Sequence, residues 1–470
     1  GDEDALMRQP QGHLQLRERG QKLHLVSLGC AKNQVDSEVM LGRLKQAGWV
    51  ITDDPQEAHA IVVNTCSFIQ SAAEESIETI VELAEYKKTG LCRRLVVAGC
   101  LPERYREQIL EAIPEVDVFL GTGAFDQIVQ AAGNRRPSRE AILPDPERAC
   151  LDPHGSSRVL TAAHMAYLKI AEGCSHHCTY CIIPKLRGHH KSQPIENVVT
   201  EARELVSSGV KELVLVAQDS TAYGTDLSPP ATLGALVNAL AHVHAGGEKA
   251  PPFFPWIRVL YGNPESIEES FVRSVAEHSQ VCSYFDLPIQ HASNRILKRM
   301  GRRYTREKLC RLFRRIREIV PDAVLRTTVI LGFPGETDRD FQQVLEFAEE
   351  IRFDHLGVFV YSDADDLASH RMRLHVPAGV AQDRYDQLMS AQMDIAAEKN
   401  QRRIGQTLQV LIEEDLGSSL FAGRTCFQAP EVDGVTYVST ASHAAPVAIG
   451  CFAQARINDA MEYDLIGEVA

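Results

Sequence analysis

Residues 172–184 read "EGCSHHCTYCIIP". Cys174, Cys178 and Cys181 fall within eight residues in the spacing C-x3-C-x2-C, with His176 and His177 between the first two. Such a group can hold zinc, hold an iron–sulfur cluster, or be structural. Structural zinc takes four protein ligands, commonly from two C-x2-C pairs, and no second pair follows nearby. Three thiolates suit a cubane cluster with one iron left open. An open iron can chelate the amino and carboxylate groups of a small molecule. The histidines sit at spacer positions and read as loop residues.

The segment directly follows an apolar run at 164–172. Five more runs come after it: 212–219, 256–264, 284–291, 324–336 and 355–362. Each of the first five precedes an amphipathic helical pattern, as in "IENVVTEARELVSSG" and "REKLCRLFRRIREIV". Strands alternating with helices imply a parallel sheet covered by helices. Six units predict an open partial (β/α)6 barrel over 164–383; a doubly wound sheet is the alternative. A helical stretch, 384–405, leads to a tail, 406–470, whose short strand candidates predict a small β-barrel.

The same alternation occurs before the motif. Runs at 23–30, 60–66, 94–100 and 116–122 alternate with helical stretches, predicting a parallel α/β sheet domain over 22–135. Residues 136–163, rich in Pro, Arg and Asp, read as a linker. The fold class expected is therefore α/β multidomain, with an N-terminal sheet domain, a central partial barrel and a C-terminal β-barrel.

Of 470 residues, 44% are hydrophobic and 24% charged, a globular composition. No apolar run is long enough for a transmembrane helix, and the polar start carries no signal-peptide pattern. The expectation is a cytoplasmic protein with no membrane partner. Twelve cysteines in a reducing compartment point to metal binding or catalysis rather than disulfides. The net charge of −14 argues against broad nucleic-acid binding and fits a basic partner.

Cys30, Cys66 and Cys100 each end a predicted strand, in "SLGC", "VNTC" and "VAGC", at intervals of 36 and 34 residues. Equivalent strand ends of a parallel sheet lie along one edge. The three thiols should therefore converge and form a second three-cysteine cluster site. Cys92, Cys150, Cys282, Cys310, Cys426 and Cys451 show no grouping and read as packing or surface residues.

C-x3-C-x2-C after the first strand of a β/α barrel, with Tyr180 before the last cysteine, resembles the radical S-adenosylmethionine (SAM) superfamily. The resemblance implies a 4Fe–4S cluster on Cys174, Cys178 and Cys181. Its open iron binds SAM, and an injected electron cleaves SAM to give a deoxyadenosyl radical. Ligand-binding residues belong at the carboxyl ends of the strands. Candidates for SAM are Tyr180, Gln218, Asp219, Arg326, Thr328 and Gly332, with Asn263, Gln290 and His291 nearby in the strand-end set. No acid–base pair stands out, so no catalytic residue beyond the cluster ligands is expected.

The order of the whole chain, from about residue 22 to 470, resembles the methylthiotransferases, whose last domain is a TRAM β-barrel. They replace C–H by C–S–CH3, with one SAM as methyl donor and another as radical source. The resemblance implies a second 4Fe–4S cluster, carrying the sulfur, on Cys30, Cys66 and Cys100. It also implies a flavodoxin- or ferredoxin-type electron donor and a sulfur donor. One branch modifies an adenosine beside the tRNA anticodon; the other modifies an aspartate of ribosomal protein uS12 in the small subunit. "SLGCAKNQVDSEVMLG" (27–42) resembles the protein-modifying branch, where the tRNA branch has a "YGCQMN" type. "AQDSTAYG" (217–224), "LPIQHASNRILKRMGR" and "RTTVILGFPGET" also fit it. "YSDADDLASHRMRLHVP" (361–377) follows the family's pattern only loosely.

Charge points the same way. Residues 406–470 hold two basic residues, Arg424 and Arg456, against nine acidic ones. Gripping tRNA needs Lys and Arg for the phosphates, whereas an acidic domain complements a basic ribosomal protein. The expected partner is uS12 rather than tRNA. An iron–sulfur electron carrier or scaffold is the alternative of another class.

Overall fold

The computed structural model describes residues 20–133, 139–149, 151, 158–246, 252–440 and 446–469. Cys150, parts of the expected linker and the tip of the 245–255 loop lie outside the described residues.

The N-terminal sheet is parallel throughout, in the order β2 (Val50–Ile51), β1 (Lys22–Ser27), β3 (Ala60–Thr65), β4 (Arg94–Gly99), β5 (Val118–Leu120), β6 (Glu140–Ile142). β3 and β4 are buried along their whole length because helices cover both faces. Two strands went unforeseen. β2 is a two-residue edge strand, too short to show alternation. β6 lies inside the stretch read as linker and pairs with β5 through three residues flanked by proline and acid.

Barrel strands follow: β7 (Met165–Lys169), with the short antiparallel pair β8 (Ala171–Glu172) and β9 (Lys191–Ser192) after it. Then come β10 (Glu212–Val216), β11 (Trp256–Val259), β12 (Tyr284–Asp286), β13 (Val324–Leu331) and β14 (His355–Val360). β7, β10 and β11 form one parallel half and β12, β13 and β14 the other. The Ile257–Val281 bridge joins the halves into the expected six-strand partial barrel. The helix expected over 384–405 runs instead over Ala378–Gln401. Pro377 precedes its first turn, and proline is tolerated there because that N–H has no helical partner. Its Gln392 donates to the Phe353 carbonyl just before β14. It therefore covers the sixth strand as the other helices cover theirs.

The C-terminal domain is a closed five-strand barrel, in the order β15 (Thr407–Gly417), β16 (Leu420–Arg424), β17 (Thr436–Ser439), β19 (Leu465–Val469), β18 (Phe452–Ala460). One apolar cluster runs through all three domains. It includes Ala31 and Val35, Tyr167 and Trp256, and Leu411 and Phe427. No helix among the described residues is long and apolar enough to cross a membrane.

Candidate functional site

The segment 173–190 leaves the barrel after β8 and returns at β9, so the β8–β9 pair staples its base. Gly173 has φ +79°, and a Cβ there would lie 2.1 Å from the His189 carbonyl; only glycine fits. The Cys174 N–H donates to the Gly188 carbonyl at 3.0 Å, and the Thr179 N–H to the Met300 carbonyl at 3.1 Å. Held at both ends, the loop brings Cys174, Cys178 and Cys181 into mutual electrostatic reach. Burial pushes the Cys174 thiol up to about 11 and Cys181 up to about 12, each raised further by the neighbouring thiols. Such thiols ionise readily only when a cation arrives, as cluster ligands do.

The other trio forms as the strand ends suggested. Cys30 precedes the helix Ala31–Gln46, Cys66 follows β3, and Cys100 follows β4 at the head of the helix Cys100–Tyr105. Gly29 has φ +91°, and a Cβ there would meet Cys66 Cβ at 2.6 Å. Asn33 Nδ2 donates to the Leu28 and Thr65 carbonyls at 2.8 and 2.9 Å, tying the two loops together. Cys30 is accessible. Burial would raise its thiol, but Lys32 and Arg187 outweigh burial and hold it below the usual range. Burial pushes Cys66 up, and pushes Cys100 up to about 11 against the pull of Arg187. No group of three His, Cys, Asp or Glu among the described residues closes tightly enough to hold a single metal ion. Three thiols set apart from one another are the donor set a four-iron cluster takes, since it spreads three thiolates over three different irons.

Packing links the N-terminal trio to the barrel's cysteine loop through Cys100. Cys100 packs with Ile182, Leu186 and Leu367 in one apolar cluster, and Ile182 follows Cys181 directly. A buried polar network runs beside it. Arg187 donates to Asp36 and Asn33 at 2.7 Å each and reaches Cys100 Sγ at 3.6 Å. Lys169 pairs with Asp36 and with Glu172. Burial would raise the Glu172 carboxyl, but Lys169 and Arg187 hold it well below its usual range. The loosely matching segment after β14 crosses both sites: Asp366 accepts from Arg104 of the helix Cys100–Tyr105, and the Ser369 N–H donates to the Thr179 carbonyl.

The remaining candidates are placed as follows. Tyr180 packs edge-on to Phe333, with the Arg302 guanidinium 6.0 Å from its ring. Gln218 donates to Glu172 at 2.8 Å, while its Oε1 is buried without a partner. Asp219 accepts from Thr221, Ser266 and Asn263, and meets His176 Nε2 at 2.7 Å. His176 is thus an anchor for the cysteine loop rather than a free spacer. His291 pairs with Glu336 at 3.0 Å. Gln290 adopts φ +66° and its N–H bonds the Thr328 carbonyl. Arg326 pairs with Asp286 at 3.3 Å and stands 3.5 Å from Asp433 of the C-terminal domain. Gly332 meets Ala381, where a Cβ would lie 2.6 Å from Ala381 Cβ. Cys282 and Cys426, read as ungrouped, lie within each other's field beside Arg258. Sequence reasoning assigned no role to Lys32, Asp36, Lys169, Glu172 and Arg187, although Glu172 opens the cysteine motif and Lys32 and Asp36 lie within the stretch 27–42.

Residues 22–121 match the model described as "Uncharacterized protein family UPF0004", residues 168–348 the radical SAM superfamily, and residues 404–470 the TRAM domain. The chain is 50% identical over 448 residues to the ribosomal protein uS12 methylthiotransferase RimO of Desulfosudis oleivorans, covering 95% of this chain and 99% of that protein. It is 45% identical to the protein of the same name from Clostridioides difficile, covering 95% and 98%. In fold it is similar to the radical SAM methyltransferase TsrM of Kitasatospora setae. The TM-score is 0.57 at 13% identity, over 80% of this chain and 89% of that one.

Proposed function

The chain belongs to the ribosomal protein uS12 methylthiotransferases, and from that premise we propose that it inserts a methylthio group at the β-carbon of an aspartate in uS12. The observation that carries this reading is that Cys100, of the N-terminal trio, packs against Ile182, the residue next to Cys181 of the barrel trio. Cys174, Cys178 and Cys181 would hold the cluster that binds SAM. Cys30, Cys66 and Cys100 would hold the second, sulfur-carrying one. When bound, SAM would supply the radical and the methyl group, and the second cluster the sulfur.

The chain's own residues hold, orient and shield. The unpartnered Gln218 Oε1 is an acceptor suited to the amino group of SAM. Tyr180, Phe333 and Tyr361 stack beside the cysteine loop and keep water from it. An electron donor of flavodoxin or ferredoxin type, a sulfur donor and a cytoplasmic location complete the proposal.

The surface of the TRAM domain favours a basic protein partner over tRNA. Arg424 is buried against Glu212, which leaves Arg456 as the exposed base of residues 406–470. In the same domain Glu414, Asp415, Glu431, Asp459, Glu462 and Glu468 are exposed. Mass spectrometry of uS12 and of tRNA from a strain lacking this gene tests the proposal. Loss of the methylthio mass from uS12 is expected; loss from tRNA with uS12 unchanged would overturn it.

A further inference from the structure

Lys32 is the second residue of the helix Ala31–Gln46, two positions beyond Cys30. The residue is only 8% exposed. A buried charge normally has a counter-ion, and its neighbours obey the rule. Lys169 and Arg187 meet Asp36, and Arg258 and Arg424 meet Glu212. Among the described residues the Lys32 ammonium has no hydrogen-bond or ion-pair partner. Its Nζ lies 3.3 Å from the centroid of the Tyr261 ring.

Tyr261 belongs to the barrel, just beyond β11, and holds φ +60°. A bulky residue rarely adopts that conformation, and such strain persists only where surrounding contacts enforce it. Asp286 enforces it by accepting the Tyr261 N–H at 2.9 Å. The barrel thus presents an aromatic face to a cation of another domain, and that cation has no carboxylate in ion-pair contact; Cys30 and Glu172 act on it only through their fields. Cation–π attraction offsets only part of the lost hydration.

The next step rests on the aspartate reading above. In an aspartate modified at its β-carbon, the carboxylate is bonded directly to the reacting carbon. The group that binds this carboxylate must therefore lie beside the trio that carries the sulfur, as Lys32 does. We propose that the Lys32 ammonium, seated on Tyr261, binds the side-chain carboxylate of the substrate aspartate and sets the preference for an acidic over a neutral target.

The test is binding. Full-length protein, reconstituted anaerobically with iron and sulfide, is titrated with uS12 and with uS12 whose target aspartate is changed to asparagine. Wild-type protein should bind the aspartate form about tenfold tighter or more. Lys32→Met and Lys32→Gln should bring the two forms within about twofold, and Lys32→Arg should keep most of the preference. Equal iron content across the variants separates this loss from misfolding. Retention of the full preference in both neutral variants overturns the proposal, as does a wild type that modifies uS12 yet binds both forms equally. A wild type that neither binds nor modifies uS12 overturns the aspartate reading itself, and this inference with it.

Discussion

The Arg187 guanidinium, from the barrel, donates to the Asp36 carboxylate, from the N-terminal domain, at 2.7 Å, with side chains 3% and 7% exposed. The pair locks the two cysteine-bearing domains together next to Cys100. Removing Arg187 leaves the buried Asp36 with Lys169 as its remaining cation, and the loss of the charge-assisted hydrogen bond costs about 1.5–3 kcal/mol. Arg187→Met should lower the unfolding free energy by that amount in urea titration. Arg187→Met with Asp36→Leu should recover part of it, although Lys169 then loses a partner. Equal stability of Arg187→Met and wild type would mean the pair does not hold the interface.

Two glycines separate the cluster sites. Gly29→Ala drives a Cβ into Cys66, and Gly173→Ala drives one into the His189 carbonyl. Each substitution also strains a positive-φ residue. Anaerobic iron analysis of wild type should find about eight irons per chain, from two cubanes. Each variant should lose about half of them. Gly173→Ala should also lose deoxyadenosine formation from SAM, and Gly29→Ala should retain it. Full iron in Gly29→Ala would contradict convergence at the N-terminal sheet edge.

The grouping of each trio is readable in the sequence, for different reasons. Cys174, Cys178 and Cys181 are neighbours in sequence. Cys30, Cys66 and Cys100 could be joined because a parallel sheet sets equivalent strand ends along one edge. What joins the trios could not be read. Asp36, Arg187 and Lys32 are single polar residues on helices or loops, and their partners lie in other domains; no periodicity marks them. Short edge strands such as β2 and β6 were hidden likewise, since two or three residues cannot show alternation. Arg424 counted toward the charge of residues 406–470, but its side chain points across the domain junction to Glu212.

The cysteine roles predict separable losses. Cys178→Ala should abolish SAM cleavage while leaving iron on the N-terminal trio. Cys66→Ala should leave SAM cleavage in place and stop methylthiolation of uS12. Deoxyadenosine formation by Cys178→Ala, or normal product from Cys66→Ala, would reverse the assignments.

The junction between barrel and TRAM domain should be sensitive to acid. Glu212 is fully buried between Arg258, whose Nε donates at 2.8 Å, and Arg424. Burial alone would raise its carboxyl, but Arg424 and Arg258 outweigh burial and bring it down to about 2. The folded value lies below the unfolded one, so this stabilisation is complete above the unfolded value of about 4.3. It is lost as pH falls from there toward the folded value near 2. The contribution at neutral pH is on the order of 3 kcal/mol. Glu212→Gln lacks this titration and leaves Arg258 without its anion, while Arg424 keeps Glu413, so it should start less stable at pH 7 by about 3–5 kcal/mol. Thermal unfolding of both proteins, followed from pH 7 to pH 3 in steps, should show the gap between them narrowing only below about pH 5. Parallel profiles across that whole range would show that the triad does not secure the junction.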